Sequence, residues 1–113
     1  MNSYEVRFSG RSIELANGIV ELDYPILDAF QLADKIIVLF EPDAKESPGQ
    51  FKNLIAITPS GERVWEAELP TTMSFDTYYG FSSKNPIVAY SISSFSSTID
   101  DMTGRIVNKI FYK

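Results

Sequence analysis

Three turn signals divide this chain into pairs of short runs: Ala16-Asn17-Gly18, Pro59-Ser60-Gly61 and Asp101-Met102-Thr103-Gly104. A chain punctuated in this way reads as antiparallel hairpins rather than as long helices. Asn-Gly is the strongest of the signals, because both residues tolerate positive φ. Ser12 to Leu15 and Ile19 to Tyr24 flank the first turn, Leu54 to Thr58 and Glu62 to Leu69 the second, and Thr98 to Asp100 and Arg105 to Tyr112 the third. Tyr4 to Phe8 alternates apolar and charged residues, the period of a half-buried strand, and Ser9-Gly10 follows as a turn. Lys35 to Glu41 is almost continuously apolar, the pattern of a strand covered on both faces. Pro86 to Ile92 reads as a second buried strand, opened by proline. Residues 42–50 are polar, hold two prolines and form an exposed loop.

Pro25 to Ile37 admits two readings. Ile26, Ala29, Phe30, Ala33 and Ile37 approximate the spacing of a helix face, which allows a short helix near 26–34 with proline at its first position. A strand would share Ile26, Phe30 and Leu32 on one face and leave Asp28 there as a defect. The recurring hairpins favour the strand.

Gly18, Gly61 and Gly104 stand 43 residues apart, an interval in the range of propeller blades. Insertions at 42–50 and 71–85 compensate one another, so part of this equality is coincidence. Asn53 to Glu66, with its Thr58-Pro59-Ser60-Gly61 turn, resembles the outer hairpin of a quinoprotein-type β-propeller blade, and Thr98 to Val107 is similar. Trp65 stands where such blades often carry a tryptophan; the third copy has Asn108 nearby instead. A closed propeller needs at least about four four-stranded blades, more than this chain supplies, so no cofactor or substrate site carries over from the resemblance. The expected fold is therefore all-β, a single domain over 1–113. It is an antiparallel meander of short hairpins, with blade-like repeats curling into a small barrel or a two-sheet sandwich. At 12.7 kDa the chain can bury about two-thirds of its extended surface, enough for one modest core.

Function is constrained mainly by exclusion. The chain has no cysteine and no histidine, which removes disulfides, the usual zinc and iron–sulfur sites, thiol nucleophiles and imidazole-based triads. A net charge of −5 makes nucleic acid and anionic membrane poor partners. Met1 to Arg7 has no apolar signal segment, and the longest apolar run, Ile36 to Phe40, is far too short for a membrane span. A cytoplasmic protein is expected. The carboxylate pairs Glu66/Glu68 and Asp100/Asp101 read as a solvated strand face and a turn cap. The spacing of a calcium loop and the glycines of a phosphate loop are both missing. No catalytic residue, metal ligand or cofactor is expected.

The residues singled out for contact are Tyr78, Tyr79 and Phe81, within the aromatic segment Phe75 to Phe81, and Asp43 and Glu46 of the polar loop. Tyrosine supplies rigid amphipathic contact area, and acidic loops steer basic partners. The expected function is a non-enzymatic binding protein, an acidic inhibitor or immunity-type partner of a more basic protein. The alternative is a β-barrel module holding a small-molecule ligand among aromatics at its mouth. A homodimer through an edge strand is also expected, with the weakly guarded run Pro86 to Ile92 as its candidate edge.

Overall fold

A computed structural model describes residues 3–112. The chain forms β1 (Ser3–Glu5), β2 (Phe8–Ser9), β3 (Ser12–Leu15), β4 (Gly18–Glu21), β5 (Ile26–Leu32), β6 (Lys35–Phe40), β7 (Leu54–Ile57), β8 (Arg63–Glu66), β9 (Tyr78–Lys84), β10 (Ile87–Ser91), β11 (Phe95–Ile99) and β12 (Ile106–Phe111). The described residues hold no helix, and so none long and apolar enough to cross a membrane. All strand pairs are antiparallel and build three sheets: a central β1-β5-β6-β7-β8, a four-stranded β12-β11-β10-β9 and a three-stranded β2-β3-β4. They lie as layers with free edges. The result is sandwich-like, with three sheets where two were expected, and no barrel closes.

The central sheet is covered on both faces. Phe30, Leu32, Ile37, Leu39 and Leu54 meet Tyr78, Ile87, Ala89 and Ile99 of the four-stranded sheet. Ala29, Ile36, Val38, Phe40 and Ile57 meet Ile13, Leu15 and Val20 of the three-stranded one. Alternation along β6 sends Ile37 and Leu39 one way and Ile36, Val38 and Phe40 the other, which is why that run is continuously apolar. Burying each of these side chains contributes about 1.5–3 kcal/mol.

Residues 26–34 form no helix; 26–32 are strand β5. The helix-like spacing has a physical cause. A register shift between Ile26 and Asp28 changes the phase of the strand, so Ile26 and Ala29 enter one core while Phe30 and Leu32 enter the other. Asp28 is matched rather than defective, since its carboxylate sits 3.4 Å from the Lys84 ammonium of β9. The run at 86–92 also differs from expectation. Its strand, β10, lies between β9 and β11, so it is not a free edge, and only Ile87, Ala89 and Ser91 are buried.

Gly61 and Gly104 lie in the β7–β8 and β11–β12 turns, whereas Gly18 opens β4 directly after the two-residue β3–β4 turn. The Asn53 side chain pins the layers together. It is fully buried; its amide donates to the Phe40 and Tyr78 carbonyls at 2.9 and 2.7 Å, and its oxygen accepts the Tyr78 N–H at 2.9 Å.

Candidate interaction face

Residues directly opposite in an antiparallel pair share a face. Across the four-stranded sheet the rows Ser83–Val88–Thr98–Asn108 and Gly80–Tyr90–Ser96–Ile110 therefore point the same way. Buried Ala89, Ser97 and Ile99 alternate with them and point into the core, so these rows form the outward face. None of their side chains is charged.

Tyrosines dominate this face. The register around β9 pairs Tyr90 with Gly80 and Ser91 with Tyr78, so Tyr79 is an extra residue between two paired ones and turns outward. Gly80 brings no side chain to the face, and the Tyr79 ring stacks on Tyr90 with centroids 6.0 Å apart and planes 20° apart. Tyr112, placed just past β12 by its N–H bond to the Ser94 carbonyl, meets Tyr90 edge-on at 5.3 Å. The Tyr79 and Tyr112 hydroxyls share a hydrogen bond. Desolvation, and then the bond to Tyr79, push the Tyr112 phenol up to about 12. Stacked and hydrogen-bonded, these side chains have already lost much of their rotamer freedom, so a partner would cost less to order against them.

The expected contact residues divide. Tyr78 is corrected: it is 0% exposed, packs in the core and donates its hydroxyl to the Glu68 carbonyl, so it has no surface to offer. Burial is the main cause that raises its phenol far above the ordinary range. Phe81 points into the same core and meets Phe30 edge-on at 5.2 Å. Tyr79, 42% exposed, is on the surface as expected. Asp43 and Glu46 are exposed, but their loop packs through Ala44 and Phe51 against the opposite face of the central sheet. The structure therefore separates them from Tyr79. Tyr90 and Tyr112 were missed; the alternation of Ile87-Val88-Ala89-Tyr90-Ser91 was the available signal for the first.

The carboxylate pairs have structural partners. Glu66 sits 3.3 Å from Arg63, and Glu68 accepts the Ile106 N–H at 2.8 Å. Asp100 caps its turn by accepting the Met102 N–H at 2.8 Å. Asp76, fully buried, accepts from Thr71 Oγ1 at 2.6 Å, Ser93 Oγ at 3.0 Å and the Thr77 N–H at 3.0 Å. This anchors the approach to β9 against the β10–β11 turn. Among the described residues no cluster of acidic side chains is arranged to hold a metal ion.

A cleft of about 380 Å³ opens between the polar loop and β8, walled by Tyr24, Phe40 and Phe51 with Lys45, Lys52 and Arg63. Two of its cations are engaged. Arg63 faces Asp23 at 3.4 Å and Glu66 at 3.3 Å, and Lys45 donates to the Gln50 carbonyl at 3.0 Å. Lys52 is the one cation among the described residues lining the cleft whose ammonium has no protein partner.

No curated protein and no solved structure matches this chain. One family model does match, over residues 3–111, nearly the whole length. On that match the chain belongs to the family described as a domain of unknown function, DUF7957.

Proposed function

We propose that this chain is a non-enzymatic interaction module, an acidic inhibitor or immunity-type partner of a more basic cytoplasmic protein, that docks through the outward face of β9–β12. The observation that carries the reading is the Tyr79–Tyr90–Tyr112 cluster on a face without charges. Tyrosine beside serine, threonine and asparagine is the chemistry of rigid contact with adaptable hydrogen bonding around it. The net charge of −5 supplies long-range attraction to a basic partner, while Asp43 and Glu46, away from the contact, act on encounter rate only.

The test is capture on immobilised wild-type protein and on Tyr79→Ala and Tyr90→Ala, with sequencing of what is retained. A partner of the proposed kind binds about 30-fold more weakly to a variant lacking a hot-spot tyrosine. Its association slows as salt rises. A partner held equally by both variants would remove this face from the account. A second reading, a small-molecule site, draws support from the aromatic cleft beside Lys52. In that case an anionic ligand is lost with Lys52→Glu and kept by Tyr79→Ala.

A further inference from the structure

Among the described residues, every sheet edge except one is guarded or short. β1 and β2 have three and two residues. β4 ends in Glu21, 3.7 Å from Arg11, and β8 carries Arg63 and Glu66 at its two ends. β9 is broken by two register shifts. β12 is different: six residues, Ile106-Val107-Asn108-Lys109-Ile110-Phe111, with Ile110 61% exposed. Its one charge, the Lys109 ammonium, is occupied by the Pro70 carbonyl at 2.6 Å. Such an edge is a template for another strand.

The backbone geometry says which groups are open. Tyr112 donates its N–H to the Ser94 carbonyl, which marks this as a hydrogen-bonded position of the ladder although the Ser94 N–H itself turns to the Ser91 carbonyl. Hydrogen-bonded pairs alternate along an antiparallel ladder, which makes Ser96–Ile110 and Thr98–Asn108 the next ones. The N–H and C=O groups of Lys109 and Phe111 therefore point away from β11. At the start of the strand the Glu68 carboxylate already takes the Ile106 N–H, so the open stretch is the second half. A groove of about 360 Å³ lies beside the first half of the strand instead, between Glu68–Pro70 and Ile106–Lys109.

We infer that β12 is a self-pairing edge whose occupant is the β12 of a second copy of this chain, antiparallel and centred on Ile110. In that register Lys109 and Phe111 of one copy exchange both backbone bonds with Phe111 and Lys109 of the other, and all four open groups of each copy are satisfied. Ile110 meets Ile110 on the outward face. Phe111 lies opposite a lysine stem on the other face, extending the arrangement in which Lys109 already sits 5.1 Å over the Phe95 ring. Centring on Lys109 instead would oppose two lysines, which is unfavourable. The interface is isologous, so it closes as a dimer rather than growing into a fibre. A second copy also brings its strand already formed, without the ordering cost of a flexible peptide. This inference is independent of the tyrosine-face reading.

Light scattering over a range of concentrations tests it, together with amide hydrogen exchange. Wild type should approach 25.4 kDa, twice 12.7 kDa, and fall to 12.7 kDa on dilution. Ile110→Lys, which opposes two charges at the centre, should stay at 12.7 kDa throughout and unfold at the midpoint of wild type diluted to the monomer. Phe111→Pro removes an outward N–H that β11 does not use, and should do the same. The Lys109 and Phe111 amides should exchange more slowly as concentration rises, while the Ile110 amide is slow throughout. A wild type that stays at 12.7 kDa, a dimer that survives both substitutions, or exchange at Lys109 and Phe111 that ignores concentration would each overturn it.

Discussion

Gly104→Ala should cost far more than Gly10→Ala, although both glycines have positive φ, 76° and 57°. At either position alanine meets the left-handed penalty of about 1–2 kcal/mol, partly offset by about 0.4–1 kcal/mol from a less flexible unfolded chain. The surroundings separate the two. A Cβ on Gly10 would meet nothing within 4 Å, whereas one on Gly104 would stand 2.7 Å from Trp65 Cε3 and 2.8 Å from Cδ2. Carbon atoms at rest lie about 3.5–4.0 Å apart. The indole cannot retreat freely, because it is 7% exposed and its Nε1–H donates to the Asp101 carbonyl at 3.0 Å. Overpacking of this kind costs about 1–3 kcal/mol. Gly104→Ala should therefore lose about 2–4 kcal/mol in all and Gly10→Ala about 1. Urea unfolding measures both, with unchanged m values as the check on a common two-state transition. In a Trp65→Leu background the smaller side chain frees the space, and the extra cost of Gly104→Ala should largely vanish as a coupling energy. If the two alanines cost the same within about 0.5 kcal/mol, the contact between the β11–β12 turn and the β8 indole is not what holds that hairpin to the central sheet.

Asn53→Ala should lose about 3 kcal/mol or more by the same assay, because it strands a buried N–H and two carbonyls. Ala33→Gly should gain about 0.5–1 kcal/mol by relieving a residue held at φ 57° in the β5–β6 turn. The tyrosines make the fold alkali-sensitive. Tyr78, through burial, and Tyr112, raised to about 12, have folded-state pKa values above the unfolded value near 10. Their neutral forms thus contribute stability that is complete below about pH 10 and lost as pH rises toward 12. The urea midpoint should fall across that window, and phenolate absorbance should show Tyr78 of the six tyrosines ionising only as the chain unfolds.

Much of the fold was legible because local signals and packing agreed. The three glycine turns are hairpins, Lys35 to Glu41 is buried on both faces through β6, and residues 42–50 form a loop. What was not legible came from places where a residue is used against its preference. The β5–β6 hairpin turns on Ala33-Asp34, with alanine in a conformation that glycine or asparagine would have announced. The pairing of β1 with β5 rather than with β2 is a tertiary choice, and no spacing in the sequence records it.

The candidate site shows the same division at the level of single residues. An aromatic cluster at Phe75 to Phe81 was visible, but which rings enter the core depends on the register of β9 against β10. Strict alternation back from inward-facing Phe81 would turn Tyr79 inward and Tyr78 outward, yet the register pairs Tyr78 with buried Ser91 and leaves Tyr79 as the extra residue. That one irregularity puts Tyr78 in the core and Tyr79 on the surface. It also places Tyr79 beside Tyr90 and Tyr112, the latter 33 residues away in sequence. A chain of short strands stores its surface in registers rather than in motifs, so its contact residues become recognisable only when the sheet is assembled. The measurement that separates the two neighbouring tyrosines follows from this. Tyr79→Ala, which loses a partly exposed ring with its stacking on Tyr90 and its bond to Tyr112, should cost no more than about 1 kcal/mol by urea unfolding. Tyr78→Ala removes a fully buried ring and its hydrogen bond to Glu68, and should cost about 3–5 kcal/mol. Equal losses would mean that the irregularity lies elsewhere in β9 and that the outward face carries a different set of side chains.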